Sequence, residues 1–226
     1  GPERSDGGSA DGDEDFAGGR CGERPTRRSR LDVRADPVLE VALAQGEPPL
    51  RGTADLYLGL SELYLEQGDL AAATEHLLRS EALGEQAGLA DWHYRFLRAR
   101  ARFKAVEGDL AGALSLLDTA ARHRRPSPVP NVRPLEAMKA RVWAAQGQLG
   151  DAQRWVQEQA LSADDDLSYL REFEHISLAR VLIAEHTRNP NGEQGKRAMV
   201  DAVRMLERLH QGFSRVIPDS GMPLSG

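Results

Sequence analysis

The tripeptides Gly68-Asp69-Leu70, Gly108-Asp109-Leu110 and Gly147-Gln148-Leu149 return at spacings of 40 and 39 residues. No other feature of the sequence constrains the fold as tightly. Self-similarity over roughly 20 to 50 residues marks a solenoid, in which each unit buries its apolar face only by stacking on its neighbours. Other positions keep the same register. Ser61, Ala101 and Ala140 lie seven residues before each glycine, Ala73, Ala113 and Ala152 five residues after it, and Leu77, Leu117 and Val156 nine after it. Two helices of a hairpin cross closely only where small side chains meet, and the turn between them favours glycine, whose backbone is permissive. The larger residues then fill the hollow beside each crossing.

Helix formers dominate residues 50–211, aromatic residues are 5% of the chain, and β-branched runs are almost absent, so the fold is expected to be all-α. The pattern predicts helices over 53–67, 70–87, 90–107, 110–124, 133–146, 149–160, 166–186 and 194–211. Paired, they give four units: 53–87, 90–124, 133–160 and 166–211. The fourth is divergent, because Ala179 holds the small position but the turn is replaced by a loop containing Asn189-Pro190-Asn191-Gly192. Ala202 and Leu206 carry its second helix. A short helix over Val38–Ala44 would cap the stack before Gly46 and Pro48-Pro49. The expected domain is 31–211, flanked by a disordered acidic and Arg-rich segment, 1–30, and a disordered tail, 212–226. Opening at Gly1 with no methionine, the sequence is expected to be a fragment, a processed product or a cleaved fusion.

A formal charge of −6 and a pI near 5.6 argue against a chain devoted to neutralising phosphates, so no direct nucleic-acid binding is expected. The Arg20–Arg34 cluster is offset by neighbouring acids and is expected to be a linker. No window approaches the eighteen or so consecutive apolar residues of a membrane span, and the N-terminus is unlike a signal peptide. A cytoplasmic chain is expected. Cys21 stands alone and makes no internal disulfide.

Three motifs that resemble chemistry have simpler explanations. Asp164-Asp165-Asp166 precedes a predicted helix, where carboxylates cap free amides and meet the positive end of the dipole. Glu172 and His175 have the spacing used in di-iron bundles but lack a second such pair. Gly192 to Arg197 lacks the first glycine, the closing Ser or Thr and the strand of a phosphate loop. No nucleophile elbow is present, and neither an enzyme, a cofactor nor a structural metal is expected.

One position of the repeat is charged throughout: Glu62, then Arg102, Arg141 and Arg180. First helices of such hairpins line the concave face of a superhelix, so these residues should form a ladder along a groove. Guanidinium forks suit carboxylates or phosphates, while pairing with Glu62, Glu136 or Glu172 is the alternative. Near the groove are expected Tyr94, Arg95 and Arg98 on one side and Tyr169, Arg171 and Phe173 on the other, a set suited to stacking and hydrogen bonding. Phe96, Phe103, Trp143 and Trp155 are expected in the core.

The small residue, turn glycine and second-helix alanine resemble the tetratricopeptide repeat, with departures at Lys104 in its aromatic position and at Glu85 and Arg125 where its closing proline would stand. The segments Leu56–Tyr64, Arg98–Arg102 and, most specifically, Leu161–Arg180 are similar to the helical repeat domain of the large ATP-binding LuxR-type transcription regulators of the MalT type. That resemblance implies a tetratricopeptide-like right-handed superhelix that senses a small-molecule inducer or a protein or peptide partner in its groove and supports self-association. In such regulators a nucleotide-binding domain precedes the repeats and a helix-turn-helix domain follows them. A stand-alone protein–protein interaction scaffold is the other reading.

Overall fold

The computed structural model of the chain describes residues 49–126 and 130–216, with side chains up to 212. Eight α-helices account for most of them, and no strand occurs among the described residues. They are α1 Thr53–Gln67, α2 Leu70–Leu83, α3 Trp92–Val106, α4 Leu110–His123, α5 Leu135–Ala145, α6 Leu149–Glu158, α7 Glu172–Arg188 and α8 Glu193–Val216. Single 3-10 turns, Gly84–Gln86 and Tyr169–Arg171, sit after α2 and before α7. The predicted helix over Val38–Ala44 and the terminal segment 1–30 lie outside the described residues. At the other end α8 runs on to Val216, past the residue 211 expected as its end.

The glycine turns work as their sequence implies. Gly68, Gly108 and Gly147 take φ of 80°, 87° and 75°, in the left-handed region where a side chain would be strained. In the first two turns the next residue then caps the following helix, whereas Gln148 in the third makes no side-chain cap. Asp69 accepts a hydrogen bond from the Ala72 amide at 3.1 Å and Asp109 one from the Gly112 amide at 2.9 Å, satisfying donors that the first turn leaves free.

Antiparallel pairing dominates the packing: α1 on α2, α3 on α4, and α7 on α8. The small residues of the repeat are buried: Ser61 and Ala73 on α1 and α2, Ala101 and Ala113 on α3 and α4, and Ala140 and Ala152 on α5 and α6, a pair with a smaller contact. Three cores follow along the stack. Leu58, Leu77, Trp92, Phe96 and Phe103 belong to the first; Leu97, Leu117, Leu135 and Met138 to the second; Trp155, Leu178, Met205 and Leu209 to the third. Each large side chain withdrawn from water contributes on the order of 2 kcal/mol. Polar ties fix the first two units to each other. Ser80 Oγ donates to the Ala54 carbonyl at 2.7 Å and accepts from Trp92 Nε1 at 3.0 Å, and the Leu89 amide donates to Asp55 at 2.7 Å.

The stack is uneven. α1 packs on α3 and α5 packs on α7, but the backbones of α3 and α5 scarcely approach one another. The second and third units are joined mainly through α4 and α5, across the segment 124–134 that carries Pro126, Pro130 and Pro134. α5 and α6 are also the shortest α-helices, with 11 and 10 residues.

The segment before α7 departs from expectation. α7 begins at Glu172, and no side chain caps it. The Asp164–Asp166 run therefore caps no helix. Instead Asp165 accepts from the Ser162 amide at 3.0 Å and lies 3.3 Å from Nε2 of His175, whose Nδ1 is 3.0 Å from the Arg171 carbonyl oxygen. Arg208 of α8 donates to the carbonyls of Ala163 and Asp165 at 2.8 and 2.7 Å. A fully buried histidine and an arginine from the last helix thus hold a loop where the composition suggested a helix start.

Candidate functional site

One face of α1 carries Asp55, Gly59, Glu62 and Glu66, and the matching face of α3 carries Arg95, Arg98 and Arg102 in line with the N-cap residue Asp91. Steps of four, three and four residues put each set on one side of its helix. Together with Tyr94 and residues of the segment from Arg124 to Arg133, these side chains line an open groove of about 1230 Å³. Of the residues expected at the site, Glu62, Tyr94, Arg95, Arg98 and Arg102 line it.

Units one and two carry opposite charges at equivalent positions, and those charges meet. Arg95 ion-pairs with Asp55, 40 residues earlier, and with Asp91 at 3.3 Å. Arg102 sits between Glu62 at 3.1 Å and Glu66 at 2.6 Å. Arg98 stands opposite Leu58 in the same register and has no acid to meet. Its guanidinium lies 5.3 Å from the Tyr94 ring centroid, Nη2 donates to the Arg133 carbonyl at 3.2 Å, and Nε is buried without a hydrogen-bond partner. Burial lowers its pKa from the usual arginine value, opposed by Tyr94 and Glu62 and reinforced by Arg133 and Arg102.

Farther along, the alternation of sign fails, because unit three repeats arginine where unit one has Glu62. Arg141 packs over Phe173 at 4.4 Å from the ring centroid, and Arg133 lies over the same ring at 5.8 Å. The Arg141 Nε is buried and unpartnered. Desolvation above all, then repulsion from Arg180, Arg102 and Arg133 against a weaker pull from Glu66, lowers its pKa to about 10. Arg180 is exposed and makes no ion pair among the described residues. Neither arginine takes the alternative partners expected of it, since Glu136 bonds Lys139 at 3.2 Å and Glu172 makes no ion pair among the described residues. Arg171 turns elsewhere, to Glu174 at 3.0 Å and the Gln159 carbonyl at 3.0 Å, while Tyr169 is 73% exposed; neither lines the groove. Phe96, Phe103 and Trp155 are buried in the cores, and Trp143 packs partly buried against the core that holds Trp155.

Sequence reasoning missed Glu66, Arg124, Arg125 and Arg133. Glu66 was findable as the residue one turn beyond Glu62. The others belong to a segment with no repeat register, so nothing in the period points to them. Among the described residues no group of three or more acidic, histidine or cysteine side chains is placed to hold a metal ion.

The family model of the MalT-like TPR region matches residues 36–214. The chain belongs to that family. No curated protein and no solved structure matches it. The MalT-like TPR region spans all four units, and both the groove and the Arg141–Phe173 pair fall inside it. Helical repeat domains of this kind are typically non-catalytic. No helix among the described residues is long and apolar enough to cross a membrane.

Proposed function

We propose that this chain is the sensing region of a cytoplasmic MalT-type, LuxR-family regulator and that its ligand binds in the groove between α1 and α3. The observation that carries the reading is the position of the groove. Its walls come from units one and two and from the segment that leads into unit three. A ligand there touches two units and that connecting segment at once. It can bias the chain between two arrangements by the difference in its contacts with each. Self-association and coupling to nucleotide-binding and DNA-binding domains belong to the same proposal.

Thermal-shift screening of the 226-residue chain with sugars and small metabolites tests it. A ligand that raises Tm, and whose effect is lost in Tyr94→Ala and Arg98→Ala, supports sensing in the groove. Absence of stabilisation by any small molecule, with tight capture of a peptide, would replace the sensor by a protein–protein interaction scaffold.

A further inference from the structure

We infer that the ligand of this groove is a small anion bearing phosphate or carboxylate groups, gripped by Arg98 and Arg133, which line it, and by Arg141, which stands outside the lining but shares the Phe173 ring with Arg133. The inference rests on the groove reading above and adds the chemistry of the ligand. The acids that line the groove are already engaged: Asp55 and Asp91 with Arg95, Glu62 and Glu66 with Arg102. Four other lining arginines, Arg98, Arg124, Arg125 and Arg133, meet no carboxylate within ion-pair distance among the described residues. This concentration of unpaired cations stands out in a chain whose acidic residues outnumber its lysines and arginines 35 to 29.

Burial gives the cluster its meaning. An exposed arginine without a partner is merely hydrated, but a guanidinium N–H cut off from water without an acceptor is costly. Both Arg98 and Arg141 have such an Nε. Arg133 and Arg141 converge on one aromatic ring, at 5.8 and 4.4 Å, and Arg133 is among the cations that destabilise charge on Arg141. Repulsion of this kind is relieved by an anion seated among the forks, each of which offers paired donors to a phosphate or carboxylate. The Phe173 ring that both guanidinium groups lie over offers their N–H groups no carboxylate or carbonyl acceptor, which an anion would supply.

Isothermal titration of the 226-residue chain with inorganic pyrophosphate, citrate and glucose provides the test. We expect pyrophosphate or citrate to bind and glucose not to; the tighter of the two distinguishes a phosphorylated ligand from a polycarboxylate. Affinity should fall as salt is added. Arg133→Ala and Arg141→Gln should each weaken binding about tenfold or more, the value of a charged hydrogen bond. Arg100→Ala, which removes an outer pair with Glu81, should leave it unchanged. Circular dichroism checks that each variant keeps its helices. Binding of neither anion, or equal binding by Arg133→Ala, Arg141→Gln and the parent, overturns the inference. If a neutral ligand stabilises the chain through Tyr94 while neither anion binds, the groove stands and its anionic character falls; if no small molecule binds, both fall. Capture of an acidic peptide without either small anion also overturns it.

Discussion

Replacing His175 by alanine should cost about 3 kcal/mol. The imidazole is fully buried, with Nδ1 3.0 Å from the Arg171 carbonyl oxygen and Nε2 3.3 Å from Asp165 Oδ2. Both partners are acceptors, so the neutral ring donates one hydrogen bond, and truncation deletes it at a cost of about 1 kcal/mol. Truncation also opens a cavity, for which large-to-small substitutions pay about 2–5 kcal/mol in apolar sites; the polar ring puts this site at the low end. A loss of about 3 kcal/mol lowers Tm by roughly 10 °C for a domain of this size. Urea denaturation followed by circular dichroism measures the first quantity, and a thermal melt the second. Asp165→Asn is a milder companion, because the amide oxygen still accepts from Ser162. It should change the pH dependence instead. The Ser162 amide, and then His175, hold the Asp165 pKa below its ordinary value, so its contribution is present above the unfolded pKa near 4 and is lost as pH falls through the lower folded one. In Asp165→Asn that acid limb should be shallower. A cost below about 1 kcal/mol for His175→Ala, or an unchanged acid limb in Asp165→Asn, would show that the histidine does not hold the loop.

Three further substitutions test other parts of the account. Arg141→Met should stabilise the ligand-free chain by about 1 kcal/mol in urea denaturation, because relief of the buried, unpaired cation outweighs the lost contact with Phe173; destabilisation would refute that balance. Ser80→Ala should cost about 2 kcal/mol by the same measurement, since the buried Trp92 Nε1–H loses its acceptor and the Ala54 carbonyl loses its hydroxyl donor. Gly195→Ala should lower Tm by more than any exposed helix substitution, because the added Cβ collides with the Asn189 carbonyl oxygen, a backbone atom that cannot swing away.

Much of the fold was legible because backbone chemistry is local. A left-handed glycine followed by a capping aspartate fixes both a helix end and the next helix start, and α1 matches its predicted range of 53–67 residue for residue. The Asp164–Asp166 run misled because capping residues and loop-fastening residues are the same types. What separates them is a buried histidine and Arg208, which sits more than 40 residues away in sequence from the carbonyls it binds. The charged site was legible in part. The repeat placed Glu62 opposite Arg102, but whether Arg141 finds an acid depends on the helix crossing, and the Arg133 contribution comes from a segment without period.

Units two and three meet through α4 on α5 and through the core shared by Leu97, Leu117, Leu135 and Met138, with little backbone approach of α3 to α5. In a linear array, stability is approximately the sum of unit terms and nearest-neighbour couplings, so the smallest coupling decides where the array first separates. Amide hydrogen exchange should therefore show α1–α4 and α5–α8 opening as separate cooperative blocks. A ligand held jointly by Arg98 and Arg141 would add to that coupling. Its binding would be felt as a merging of the two blocks into one, a signal that passes down the length of the stack without any helix having to change shape.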